Sequence, residues 1–141
     1  MSRITRIYVP LSAASLKDLA ESKSLSAKMI RAYSVTDALR STEPSSEDEE
    51  SLEYAVLQEA ASFAAASGWR VVGAADLDDA HVTTLADDDD RARVAIDGDV
   101  PLRRFASLHV LDPTGDRDPD ADFELSWYDI TELEDVCQIA D

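Results

Sequence analysis

Ser107 and His109 are the residues of this 141-residue sequence that come nearest to a nucleophile and its base. They stand two positions apart in a strand-like run, and alternation puts both on one face of a sheet, where a hydroxyl can meet an imidazole. No Gly-x-Ser-x-Gly turn surrounds the serine, and a nucleophile inside a regular strand is poorly exposed. A structural histidine is the expectation, and no catalytic residue is assigned. His81 lies among acids and reads as a loop residue, with a carboxylate to pair with when protonated. Cys137 is the sole cysteine and has no histidine close in sequence, which excludes an internal disulfide and an all-cysteine zinc site. A lone thiol suits a reducing cytosol. The four glycines (Gly68, Gly73, Gly98 and Gly115) are widely separated, so neither a Walker loop nor a dinucleotide fingerprint exists. No cofactor is expected.

The carboxylates are the next candidates. Asp116, Asp118, Asp120 and Asp122 recur at every second residue, as in a calcium loop. Such a loop needs glycine at its sixth position and glutamate at its twelfth. Counting from Asp116, those places hold Ala121 and Trp127, and Pro119 stiffens the middle. Asp87, Asp88, Asp89 and Asp90 are adjacent, so in an extended chain they point alternately outward and do not close on one ion. No metal site is assigned. Both runs read as solvated acidic segments. Extended, the second would space its charges by about 3.5 Å, close to the spacing of phosphates along a nucleic-acid strand. It is therefore a candidate partner-binding segment. Trp127 and Tyr128 are the other candidates, since neighbours on a strand face opposite sides. The expected division gives Trp127 to the core and leaves the Tyr128 hydroxyl in water. The alternative exposes an aromatic beside Glu124 and Asp129, an anchor for a basic partner.

The elements that must position these residues follow from periodicity and punctuation. Ile4 to Leu11 reads as a buried strand. A short helix follows, capped by Ser15 with Asp18, burying Leu16, Leu19 and Ala20. Arg31 to Thr36 reads as a second strand, after which Thr36 caps a short helix over Asp37–Ser41. Beyond the break at Pro44, Ser46 and Glu49 form a capping box for a long helix. Its stripe is Leu52, Val56, Ala60, Phe63 and Ser67, flanked by Leu57 and Ala64, and Gly68 ends it in the left-handed conformation. Strands are expected over Trp69–Ala75, Arg91–Asp97, Leu108–Asp112 and Phe123–Ile130, with a shorter extended piece at His81–Thr84. Pro101 starts one helical turn holding Leu102 and Phe105. Leu133, Val136 and Ile139 stand at helical spacing near the end. The expected fold is α/β or, more narrowly, α+β: a mixed five- to six-stranded sheet with helices mainly on one face. Its order is β-α-β-α-β-β-(α)-β-β, parallel in the first half and antiparallel in the second. Residues 1–141 form one domain.

Several strings in this order resemble an uncharacterised family of small acidic actinobacterial proteins, a domain of unknown function. They are residues 6–11 (RIYVPL), 33–40 (YSVTDALR), 52–55 (LEYA), 70–76 (RVVGAAD), 100–102 (VPL), 108–110 (LHV) and 125–128 (LSWY). The chain departs from that pattern at Asp37, where a helix-starting proline is expected, and in a shorter segment between Val110 and Trp127. The resemblance implies a source and a fold class. It carries over no activity and no catalytic residue.

Charge shapes the functional expectation. The chain carries 30 acidic and 13 basic residues, a net of −17. Residues 1–40 hold seven bases and three acids, a net of +4, whereas residues 41–141 hold six bases and 27 acids, a net of −21. Direct nucleic-acid binding is not expected, because contact with a phosphate backbone relies on Lys and Arg. No run of about 18 apolar residues is present, so no membrane span is expected. No signal-peptide core follows Arg3 and Arg6 either, and the expected location is cytoplasmic. The leading expectation is a non-enzymatic acidic interaction module that binds a basic protein partner. One alternative is an enzyme acting on a small molecule in a carboxylate-lined pocket at the sheet's carboxyl ends, with Asp76 and Asp112 as first candidates. Another is an inhibitor that mimics nucleic acid through Asp87–Asp90. Nothing in the sequence sets an oligomeric state.

Overall fold

The structure is a computed structural model describing residues 3–26, 30–36, 39, 49–85, 91–112 and 122–140. Its elements are β1 (Ile4–Leu11), α1 (Ala13–Ser22), β2 (Ser24–Leu25), β3 (Ile30–Tyr33), α2 (Glu49–Ala66), β4 (Val71–Asp78), β5 (Val82–Thr84), β6 (Arg93–Ile96), β7 (Val100–Pro101), β8 (Phe105–Leu111), β9 (Leu125–Asp129) and α3 (Leu133–Ala140). Short 3-10 turns span Asp79–His81, Leu102–Arg104 and Ile130–Glu132. Seven strands form an antiparallel sheet in the order β5-β6-β3-β1-β4-β8-β9, while β2 and β7 pair separately.

β1 organises the core. Ile7 to Leu11 are buried without interruption, the pattern of a strand covered on both faces. It pairs along its whole length with β4, from Ile4 opposite Asp78 to Leu11 opposite Val71. Alternate residues then feed two cores. Ile7, Val9 and Leu11 pack with Leu16 and Leu19 of α1 and with Leu133 and Val136 of α3. Tyr8, Val72 and Ala74 pack on the other face with Val56, Ala60, Ala61 and Ala64 of α2. The small residues of α2 let its axis lie close over β1, β3 and β4.

The fold is α+β, as the sequence indicates, but it differs from expectation in five ways. Helices cover both faces of the sheet, because its central strands are apolar on both sides. All ladders among the described residues are antiparallel. α2 does carry the chain from β3 to a β4 that runs in the same direction, but β1 lies between them, so no parallel ladder forms. Two strands of two residues, β2 and β7, join the expected set; pieces so short carry no periodic signal. The extended piece at residues 82–84 proves to be the edge strand β5. Finally, α1 starts three residues early. Ser12 is its cap, accepting the Ser15 N–H at 3.1 Å, and Ser15 lies inside the first turn. The Ser46–Glu49 capping box and most of the Asp37–Ser41 helix lie outside the described residues, although Thr36 Oγ1 does accept the Leu39 N–H at 3.1 Å.

The end of α2 follows its sequence signal. Gly68 has φ +78°. Its N–H reaches the Ala65 carbonyl, and the Trp69 N–H reaches the Ala64 carbonyl at 2.7 Å. That is the paired-bond stop of a Schellman motif. The accompanying apolar contact is the edge-on packing of Trp69 against Phe63.

β8 begins three residues earlier than expected, at Phe105, and the reason is a bulge. Ser107 faces Ala74 but Phe105 faces Ala75, so the register skips Ala106. The skip returns Phe105 to the face of Leu108 and Val110, where it is buried against Gly73, while Ala106 is exposed. Bulges re-aim side chains in this way. Among the described residues no helix is long and apolar enough to cross a membrane.

Candidate functional site

β9 is one edge of the large sheet, and α2 and α3 together hold it in place. Its approach is pinned to α2. The Gln58 side-chain amide donates to the Phe123 carbonyl at 3.0 Å and accepts the Phe123 N–H at 2.8 Å. One turn away, the Tyr54 hydroxyl donates to the Asp122 carboxylate at 2.9 Å, and that bond raises the Tyr54 pKa above its ordinary value. At the far end Asp129 and Glu132 form a reciprocal capping box over the turn that leads into α3. The hydrogen bonds from Thr131 hold the Asp129 carboxyl below the usual carboxylate range. Ser126 Oγ donates to Asp112 at 2.9 Å, tying β9 to the end of β8.

Trp127 stands in the middle of this strand, directly opposite His109, and is 62% exposed. The expected division of the aromatic pair is thus reversed. Tyr128 is the half-buried member, packed against the core with Ile130, and Trp127 faces solvent. The reason is position in the sheet. Trp127 lies on the α2 face, but α2 covers β3, β1 and β4 and stops short of β9, whereas α3 covers the other side of this edge. Asp87, Asp88, Asp89 and Asp90 lie outside the described residues.

Behind Trp127 the same face carries a polar row. Ser107 Oγ and His109 Nε2 are 3.0 Å apart, so the expected common face holds. Burial, helped by the nearby Arg6 guanidinium, pushes the His109 pKa below 6.5. Arg6 lies bidentate on Asp76, at 2.6 and 3.0 Å, with both side chains more than a third exposed, so the pair adds little stability. Burial also raises the Tyr8 pKa, assisted by the Glu53 carboxylate. Ser107 is only 6% exposed, and among the described residues no hydrogen bond orients the second imidazole nitrogen. The pair is a part-buried contact in which the hydroxyl and the imidazole satisfy each other.

His109 gives a testable pH dependence. A histidine whose native pKa is depressed takes up its proton more readily when unfolded. Its contribution is complete above the unfolded value of about 6.5 and is lost as pH falls toward the native value. Urea midpoints should therefore rise from pH 5 to pH 7.5, and His109→Gln should flatten that rise. The Asp129 contribution lies below about pH 4 and does not overlap. An unchanged slope in the variant would assign the effect to other groups.

Asp76 and Asp112 do not converge. They sit at opposite ends of the antiparallel β4–β8 pair, separated by the length of a strand. A different set of carboxylates does gather. The turn Asp79–His81 leads from β4 into β5 and is tied to the start of β1 and the end of β6: the Asp79 N–H bonds to the Arg3 carbonyl and the Asp97 N–H to the His81 carbonyl. Here a cavity of about 410 Å³ is lined by Asp78, His81, Asp97, Asp99, Arg103 and Arg104. Nothing in the sequence pattern signals it, because its acids come from two strands that are distant in the chain. Among the described residues Arg103 and Arg104 form no ion pair. No group of three or more His, Cys, Asp or Glu side chains among the described residues is arranged to hold a metal.

The profile of a family of unknown function, DUF6912, matches residues 5–137. No curated protein and no solved structure matches the chain.

Proposed function

Because the chain belongs to the DUF6912 family, whose function is unknown, we propose its role from its own surface: a non-enzymatic module that docks a basic protein partner. The observation that carries this reading is Trp127, a large aromatic side chain 62% exposed on an edge strand of a chain with net charge −17. Tryptophan is among the residues most often found to dominate interface energies. Exposed acids lie on either side of it, Asp122 and Glu124 before β9 and Glu132 after it. Such a field steers a cationic partner and makes association faster at low salt. The acidic run Asp87–Asp90 contributes four of the chain's acids, and competition with nucleic acid for a basic protein follows from the same net charge.

The experiment is affinity capture from the cytoplasm of an actinobacterial host, the source implied by the sequence resemblance. It is run at low and at high salt. Basic proteins retained at low salt and released at high salt support the reading. Retention indifferent to salt, or no basic protein retained, overturns it.

The cavity at the ends of β4 and β6 favours a second reading, a small-molecule site. Two guanidinium groups facing three carboxylates suit a zwitterion such as an amino acid. Titration with millimolar lysine or glutamate should then shift the NMR signals of Arg103 and Arg104 and spare those of Trp127. Signals that do not move would remove this reading.

A further inference from the structure

The hydrogen-bond parity of β9 shows which of its backbone groups face outward. The Asp112 N–H bonds to the Glu124 carbonyl, and the Leu111 N–H bonds to the Arg70 carbonyl on the β4 side. Bonded and non-bonded pairs alternate along an antiparallel ladder. Val110 with Ser126 and Leu108 with Tyr128 are therefore the bonded pairs of β8 and β9. Leu111 with Leu125, His109 with Trp127 and Ser107 with Asp129 are the non-bonded ones. Leu125, Trp127 and Asp129 accordingly turn their N–H and C=O groups away from β8. An independent contact agrees: the Asp129 N–H is taken by Glu132 Oε2 at 3.0 Å. That capping bond closes the edge at Asp129. The N–H and C=O groups of Leu125 and Trp127 are left without a partner among the described residues.

Proteins guard such edges with lysine, proline, bulges or very short strands. β9 reads Leu-Ser-Trp-Tyr-Asp and has none of these, whereas the opposite edge, β5, is only three residues long. We infer that β9 is a template for strand addition, and that its occupant is an extended basic segment of the partner. This rests on the reading above that the partner is basic. Charge selects the occupant. A second copy paired through β9 would lay Asp122, Glu124, Asp129 and Glu132 of one chain along the same acidic set of the other, a like-charge cost. A lysine- or arginine-bearing strand meets the same acids with opposite sign. Its cationic side chains on the α2 face lie over Trp127, where a cation–π contact adds to the pairing. Backbone bonds at Leu125 and Trp127 would set register, and the acids would set which sequences fit.

The test uses the full chain and an eight-residue peptide of alternating lysine and valine, acetylated and amidated. A second peptide, identical but N-methylated at alternate residues on its pairing edge, keeps every charge and side chain and loses the ladder donors. The first peptide should bind and slow hydrogen exchange at the Leu125 and Trp127 amides, with no change at Ser126 and Tyr128, which already face β8. N-methylation should weaken binding about thirtyfold, the loss of about two backbone bonds. Equal binding by both peptides overturns strand addition while leaving a basic partner in place. Failure of both peptides, together with capture that retains nothing basic, overturns both. A dimer in sedimentation whose formation protects these same two amides assigns the edge to a second copy and overturns the inference.

Discussion

Gly73→Ala should destabilise the native protein by about 2–3 kcal/mol, and the same substitution should become neutral or stabilising once Phe105 is alanine. A Cβ at Gly73 would meet the Phe105 ring at 2.7 and 3.0 Å and Leu11 Cδ1 at 2.9 Å. The ring is the unyielding neighbour. It is 3% exposed, and its backbone is fixed over the sheet by the bulge that skips Ala106. The leucine methyl is the far end of a flexible side chain and can give. Phe105→Ala alone should cost about 4 kcal/mol, by lost burial and the cavity it leaves over Gly73. In that background the new methyl enters empty space, and removing a glycine from a strand then gains about 0.5–1 kcal/mol of backbone entropy. Urea midpoints of the four proteins at constant m-value give the coupling. An equal cost of Gly73→Ala in both backgrounds would show that ring contact is not the reason glycine occupies this position.

That prediction marks where the sequence was legible and where it was not. β1 was readable to the residue, because an unbroken apolar run closed by Pro10 and Leu11 has few other meanings. The end of α2 was equally plain, since Gly68 follows the last helical turn and is followed by Trp69. The course of β8 was not. Its alternation from Leu108 onward is regular, but the bulge inverts it, and Phe105 therefore read as part of a helical turn rather than as the first residue of the strand. Sheet topology failed for a related reason. A strand–helix–strand succession gives direction, and β3 and β4 do run the same way, yet nothing local says that β1 sits between them.

The candidate site was half legible. Alternation placed Trp127 and Tyr128 on opposite faces and Ser107 with His109 on one. What it lacked was which face lay uncovered, and that depends on how far α2 and α3 extend across the sheet. The cavity acids Asp78, Asp97 and Asp99 were invisible for the same non-local reason.

The largest functional effect should come from that uncovered face. Trp127→Ala is expected to weaken binding of a basic partner by about thirtyfold or more, the loss of at least ~2 kcal/mol that a central aromatic anchor typically carries. The same change should leave the fold nearly as stable as before, because a side chain 62% exposed surrenders little buried area. Trp127→Lys sharpens the test: it keeps a long side chain but places a cation among Asp122, Glu124 and Asp129, where a basic partner must approach. If charge alone governs docking, the lysine variant should lose the salt-dependent part of the association rate, and the alanine variant should retain it. If aromatic contact governs residence, both variants should dissociate faster by a similar factor. Association and dissociation rates at two salt concentrations separate the two contributions. Wild-type kinetics from both variants would mean that the partner, if basic, docks elsewhere on this acidic surface.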